Sequence, residues 1–233
     1  MSEKHSIGAM LKLGFILALF AAAACSGLAL VYQATNGIIA QHTQEDLEAA
    51  LGEFFPDGDS FTDISEAVRT GIIKSPDSSV IFENAYEVKR NGRIAGAALR
   101  VARGSYGGTI RALVGVGKDG RIAGVRILEH KDTPGLGANA ASPSYYVDKA
   151  AKLTFYGQFA GKSSGDPFEP KGDIIAVTAS TITSAAVSRA VRASGGALVA
   201  YFAGKIPEMD ANSAASPGSG HEAGGNSIEG NAK

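Results

Sequence analysis

Hydrophobic positions along the chain fall into three successive patterns. From Leu13 to Tyr32 the residues run without a charge, long enough at ~1.5 Å per residue to cross a ~30 Å hydrocarbon core. This run predicts a transmembrane helix over 13–35. Between Gln44 and Phe55 the apolar residues Leu47, Leu51, Phe54 and Phe55 take helical spacing, which predicts a short amphipathic helix between membrane and domain. A polar, turn-rich stretch from Pro56 to Ser79 follows, and strand-like runs begin at Val80. Asn91-Gly-Arg-Ile-Ala-Gly96 recurs as Asp119-Gly-Arg-Ile-Ala-Gly124. Each Asn-Gly or Asp-Gly pair tolerates the positive φ of a tight hairpin turn. Four antiparallel strands follow from this, over 85–90, 94–102, 109–118 and 121–129, with one face of their sheet buried. Two copies are too few for a solenoid.

Downstream, Ser144 to Phe155 reads as a helix with Tyr146, Ala150 and Leu153 on one face, and Asp173 to Val177 as a short strand. A closing helix carries Val187, Ala190, Val191 and Leu198 on one stripe, weakened in its middle by Gly195-Gly196. Beyond Ile206 large apolar residues almost vanish, so the tail cannot offset its ordering entropy and is expected to be disordered. The fold class is α+β: one N-terminal transmembrane helix, then an exported antiparallel-sheet domain with flanking helices. Its segments are an N-terminus over 1–12, the membrane helix over 13–35, a linker with its amphipathic helix over 36–79, the sheet domain over 80–205 and the tail over 206–233.

Charge settles orientation and excludes one partner class. Lys4 and Lys12 precede the apolar run, whereas Gln41, Glu45, Asp46 and Glu48 follow it. The positive-inside rule therefore places the N-terminus in the cytoplasm and the domain outside, a single-pass topology for a bacterial inner membrane. The competing reading is a signal peptide cleaved near Ala21 to Ala24. The apolar run continues past that point through Gly27 to Tyr32, which favours an anchor retained in the lipid bilayer. The 233 residues hold 22 basic and 23 acidic side chains for a net charge of -1, interspersed, and no Trp. Neither a basic footprint nor a stacking platform is present, so nucleic acid is excluded as a partner. Cys25, the sole cysteine, lies in the apolar run, so an internal disulfide is excluded and a cysteine-built metal centre has no basis.

The candidate chemistry lies in three short segments. Thr178-Ala179-Ser180-Thr181-Ile182-Thr183-Ser184 packs five hydroxyls into seven residues at the start of the closing helix. Unpaired N–H groups and the positive end of the macrodipole make that position fit to hold a phosphate, and an esterified hydroxyl there would be a covalent anchor. The same hydroxyls also suit plain helix capping. Two glycine-bearing segments, Gly104-Ser-Tyr-Gly-Gly108 and His130-Lys-Asp-Thr-Pro-Gly-Leu-Gly137, let backbone approach a flat or phosphorylated ligand, and equally suit ordinary turns. The four histidines are scattered and no nucleophile–base pair stands out, so no catalytic residue is assigned.

Taken in order, Ser105-Tyr106-Gly107-Gly108, the 130–137 segment and the 178–184 segment resemble the FMN-binding domain of the G subunit of the Rnf-type ion-translocating electron transport complex. That protein is related to the C subunit of the sodium-translocating NADH:quinone reductase. The resemblance covers roughly Leu13 to Phe202. The family's last motif usually reads Ser-Gly-Ala-Thr-x-Thr-Ser, and its first Thr carries FMN through a phosphoester. Here that residue is Thr181, with Ala179 in place of the usual Gly, Ser180 in place of the usual Ala, and Asp132 in place of a usual Glu.

The resemblance implies covalent FMN on Thr181, with Thr178, Ala179, Ser180, Thr183 and Ser184 around its phosphate. It implies that Thr133, Gly135, Leu136 and Gly137 cover the isoalloxazine, with Tyr106, Gly107, Gly108 and His130 beside it. A magnesium-dependent flavin transferase would attach the FMN. The partners would be other integral-membrane and redox subunits of an Rnf complex, which couples ferredoxin:NAD oxidoreduction to sodium or proton export. The function so implied is electron relay within that translocase. A membrane-anchored flavin-binding sensor outside an ion pump, and an exported structural domain whose hydroxyls merely cap a helix, are the competing readings.

Overall fold

A computed structural model of the chain describes residues 7–214. Helix α1 (Ile7–Phe54) is continuous, so the expected membrane helix and the expected amphipathic helix are two parts of one element. Its stretch Met10–Gln33 has a mean hydropathy of 2.3, and none of it is buried against the domain. Next come strand β1 (Ser60–Asp63) and the short helix α2 (Ser65–Arg69), both inside the stretch that reads as turn-rich in the sequence. Strands β2 (Val80–Arg90), β3 (Arg93–Gly104), β4 (Thr109–Gly117) and β5 (Ile122–Glu129) follow. With β1 they form one five-stranded antiparallel meander in sequence order. The β2–β3 turn is the tight one expected, with Asn91 and Gly92 at φ of 50° and 73°, whereas β4 and β5 are joined by a longer turn over 118–121 in which only Gly120 takes a positive φ, 77°.

The sheet is buried on both faces, not one. Ala97, Leu99, Val101, Ala112, Val114 and Val116 pack on one side with Val187, Val191 and Leu198 of helix α3 (Thr181–Ala214). Val88, Ala98 and Leu113 pack on the other side with Leu47, Ala50, Leu51, Phe54 and Phe55, the last turns of α1 and the residue after it. Glycine makes room for this second layer: a Cβ on Gly115 would lie 2.8 Å from Phe54 Cδ2 and 3.2 Å from Phe55 Cε2. Arg126 also bonds Glu53 of α1.

Four other expectations change. Ser144 to Phe155 is not a helix but turns around two short paired strands, β6 (Tyr146–Asp148) and β7 (Leu153–Thr154). The Asp148 carboxylate accepts the Ala150 and Ala151 N–H groups at 2.9 and 3.1 Å, and Lys152 adopts a φ of 50°, which together end any helix there. Asp173 to Val177 is irregular, because Ile175 N donates to the Gln158 side chain at 2.8 Å rather than to a neighbouring strand. The helix α3 passes Gly195-Gly196 unbroken. At Gly195 a Cβ would come 2.9 Å from Ser164 Cβ, so this glycine serves close packing. α3 also runs past Ile206 to Ala214, and the rest of the expected tail, like the first six residues of the expected cytoplasmic segment, lies outside the described residues.

The docking of α1 on the sheet has a direct test. Gly115→Val forces the Phe54 ring off its seat, and overpacking of this kind costs about 1–3 kcal/mol. The denaturation midpoint of the detergent-solubilised chain should fall accordingly; an unchanged midpoint would mean that α1 does not pack there.

Candidate functional site

Three segments converge on one end of the sheet. The β3–β4 loop brings Ser105 to Gly108, the chain leaving β5 brings His130 to Gly137, and the start of α3 brings Ala179 to Thr183. Between them lies a cleft of about 400 Å³ lined by Tyr106, Asp132, Thr133, Leu136, Gly137 and residues 179–183. A second hollow, about 590 Å³, sits between the hairpin tips around Arg90, Arg93 and Lys118. It contains none of the hydroxyl or glycine segments.

The Asp132 carboxylate ties the three segments together. Only 5% exposed, it accepts the Ser105 hydroxyl at 2.7 Å and the Gly107 N–H at 2.6 Å. It also accepts the Thr183 hydroxyl. Burial pushes this carboxyl up, but the bonds from Ser105, Gly107 and Thr183, with the nearby His130, outweigh it and hold it below the ordinary carboxylate value. The glycines of the cleft answer to this tie. A Cβ on Gly107 would fall 2.8 Å from Asp132 Cα, and one on Gly137 would fall 2.6 Å from Asp132 Cβ and 2.7 Å from Thr183 Oγ1.

Local turns fix the rest of each segment. Pro134 followed by Gly135 at φ 77° fits a type II turn, closed by the Leu136 N–H donating to Thr133 O at 3.1 Å. That turn presents Leu136, 42% exposed, at the cleft. Upstream, Glu129 is held by Arg100 and Arg111 at 2.9 and 2.7 Å, which anchors the point where the chain leaves β5. Ahead of α3, Ala179 takes a left-handed φ of 58°. For a residue with a Cβ this costs about 1–2 kcal/mol, which explains why glycine would suit the position.

The five hydroxyls of this segment divide by environment. Ser184 Oγ caps the turn, accepting the Val177 N–H at 3.0 Å and donating to Ser180 O at 2.9 Å. Thr183, 1% exposed, is committed to Asp132. Thr178 is exposed and stands outside the cleft. Thr181 is exposed and lines it. Ser180 lines it as well, is 7% exposed, and its Oγ has no partner.

Of the residues singled out in the sequence, the cleft therefore unites Tyr106, Thr133, Leu136, Gly137, Ala179, Ser180, Thr181 and Thr183. Gly107, Gly108, Gly135 and Ser184 belong to the same three segments but do not line it. His130 does not line the cleft, and it bears on Asp132 electrostatically. Asp132 and Ser105 do not stand out as site residues in the sequence, because their bond joins segments 27 residues apart. It also left out Ile182, 58% exposed at the cleft edge.

Comparison with known proteins bears on this site directly. The family model described as FMN-binding domain matches residues 105–194, a span that holds all three segments, and the model described as RnfG N-terminal region matches residues 1–54. The G subunit of the Na(+)-translocating ferredoxin:NAD(+) oxidoreductase complex of Acetobacterium woodii is 32% identical over 198 residues, which cover 78% of this chain and 88% of that protein. The chain belongs to the G-subunit family of ion-translocating oxidoreductase complexes. The corresponding protein of Cereibacter sphaeroides is 33% identical over 154 residues, and this chain spans 65% of its length. A crystal structure of Shewanella oneidensis NqrC matches with a TM-score of 0.40 and 22% identity, covering 55% of this chain and 61% of that one.

Within this RnfG-type domain the residues fit FMN. Leu136, Ile182 and Tyr106 offer apolar and aromatic walls for a flat ring system, and the α3 N-terminus with an unpartnered buried hydroxyl suits a phosphate.

The Asp132 tie carries a prediction. A carboxyl with a lowered folded value stabilises fully above the ordinary value near 3.8 and loses that contribution as pH falls through the folded value. Asp132→Asn should lower stability at pH 7 by about 2–3 kcal/mol. It should also flatten the acid limb of a urea-midpoint profile between pH 7 and 3. A variant whose acid limb matches the parent would remove Asp132 from this role.

Proposed function

We propose that this chain is a membrane-anchored flavoprotein that carries FMN covalently on Thr181 and relays electrons within an ion-translocating ferredoxin:NAD oxidoreductase complex. One observation carries the attachment: among the described residues of the 178–184 segment, Thr181 alone combines a hydroxyl, solvent access and a place in the cleft. The reading also rests on the FMN-binding domain match and on the relatives, which are named as subunits of such complexes.

Attachment needs an accessible hydroxyl, since a second protein, a flavin transferase, delivers the group from FAD. The Thr181 Oγ–P bond forms, the pyrophosphate P–O bond of FAD breaks, and AMP leaves with the electron pair. The hydroxyl proton passes to solvent. The cofactor then supplies reversible one- and two-electron chemistry. The chain's own residues position it. The α3 N–H groups would hold the phosphate and Leu136 would pack on the ring, while Asp132 keeps the loops that frame the cleft in register. The helix α1, with a span long enough to cross a membrane, holds the domain at the surface opposite the N-terminus, which Lys4 and Lys12 keep in the cytoplasm. Other membrane and redox subunits of the complex exchange electrons with the flavin.

Coexpression with a flavin transferase should give a flavin-fluorescent band on a denaturing gel, lost in Thr181→Ala. A dark parent band would overturn the covalent flavin, and a band that stays bright in Thr181→Ala would move the anchor to another hydroxyl.

A further inference from the structure

We infer that Ser180 is a phosphate-positioning residue: its hydroxyl donates a hydrogen bond to the phosphate of the flavin ester on the adjacent Thr181. This rests on the covalent-flavin reading above and assigns a task within it that the family motif, with its usual Ala at this place, does not contain.

A buried hydroxyl without a partner costs free energy and normally finds one in protein or ligand. Ser180 is 7% exposed and its Oγ has no partner. As the residue just before α3 it stands where a side-chain oxygen ordinarily caps the helix. It caps nothing here, since its Oγ takes none of the first-turn N–H groups, and the Ser184 Oγ instead bridges the Val177 N–H and Ser180 O. The Ser180 backbone is likewise engaged, its N–H donating to Val177 O at 3.0 Å. What remains is one O–H donor at the wall of the cleft, beside the exposed Thr181, at the positive end of a long helix.

The chemistry of that place selects the ligand. A phosphodiester carries one negative charge on two non-bridging oxygens, and it takes O–H donors strongly. Thr183 cannot serve, being committed to Asp132, and Ser184 is spent on the turn. Burial also separates Ser180 from Thr181 in role. A transferase reaches the exposed hydroxyl, whereas the buried one binds the product. The left-handed Ala179, φ 58°, sets both hydroxyls at the helix start.

The test compares the parent with Ser180→Ala, each as the full chain in detergent, made with and without the flavin transferase. Without flavin, Ser180→Ala should melt at or above the parent temperature, because it removes an unsatisfied buried hydroxyl. With flavin, fragmentation of the Gly172–Arg189 tryptic peptide should place FMN on Thr181 in both proteins. The phosphorus NMR resonance of the ester should then shift in Ser180→Ala, and the rise in melting temperature on flavinylation should shrink. Identical resonances and equal melting gains would overturn the inference, as would FMN found on Ser180. A parent chain that takes up no flavin overturns the covalent-flavin reading itself, a result distinct from these.

Discussion

One buried carboxylate holds the site together. Asp132 accepts hydrogen bonds from the β3–β4 loop, through Ser105 and Gly107, and from α3, through Thr183. Each of those segments is a surface loop or a helix end with few neighbours of its own. Without a shared acceptor their relative positions would be set only by the strands and helix behind them. The packing around Asp132 shows how closely the segments approach, since neither Gly107 nor Gly137 has room for a Cβ beside it. Charge-assisted bonds from three donors compensate the burial of the carboxylate, and the cleft is the space these bonds leave open.

The remainder of the domain supplies a rigid base for that knot. A sheet covered on both faces, by α3 on one and by the end of α1 on the other, fixes where β3, β4 and β5 end. The Glu129 carboxylate, gripped by Arg100 and Arg111, pins the exit of β5. At α3 the strained Ala179 turn and the Ser184 hydroxyl, which bridges the Val177 N–H and Ser180 O, fix how the chain enters the helix. A carrier of electrons needs a fixed cofactor and no reacting side chains. This chain offers a built cleft.

Much of this was legible in the sequence where signals are local. The echoed Asn91-Gly92 and Asp119-Gly120 turns mark the hairpins because a tight turn dictates its own residues. The hydroxyl segment marks the helix start for the same reason. What was missed depends on contacts distant in the chain. The second sheet layer requires Phe54 and Phe55 to land on Gly96, Gly115 and Gly124, which no periodicity reveals. The 144–155 stretch has helical spacing, yet the Asp148 side chain captures its backbone. The role of Asp132 could not be read from its position, since its donors lie 25 to 27 residues before it in the β3–β4 loop and in α3 after it. The different surroundings of the five hydroxyls, buried or exposed, bonded or without a partner, likewise needed the fold.

A covalent bond between FMN and the chain at this cleft, as proposed, would leave a permanent mark on the polypeptide. The intact mass of the protein, purified from its native membranes under denaturing conditions, reads that mark without reference to any variant. It should show a single species heavier than the sequence by one FMN less one water. A chain at its unmodified mass, from membranes whose flavin transferase is active, would contradict the covalent bond.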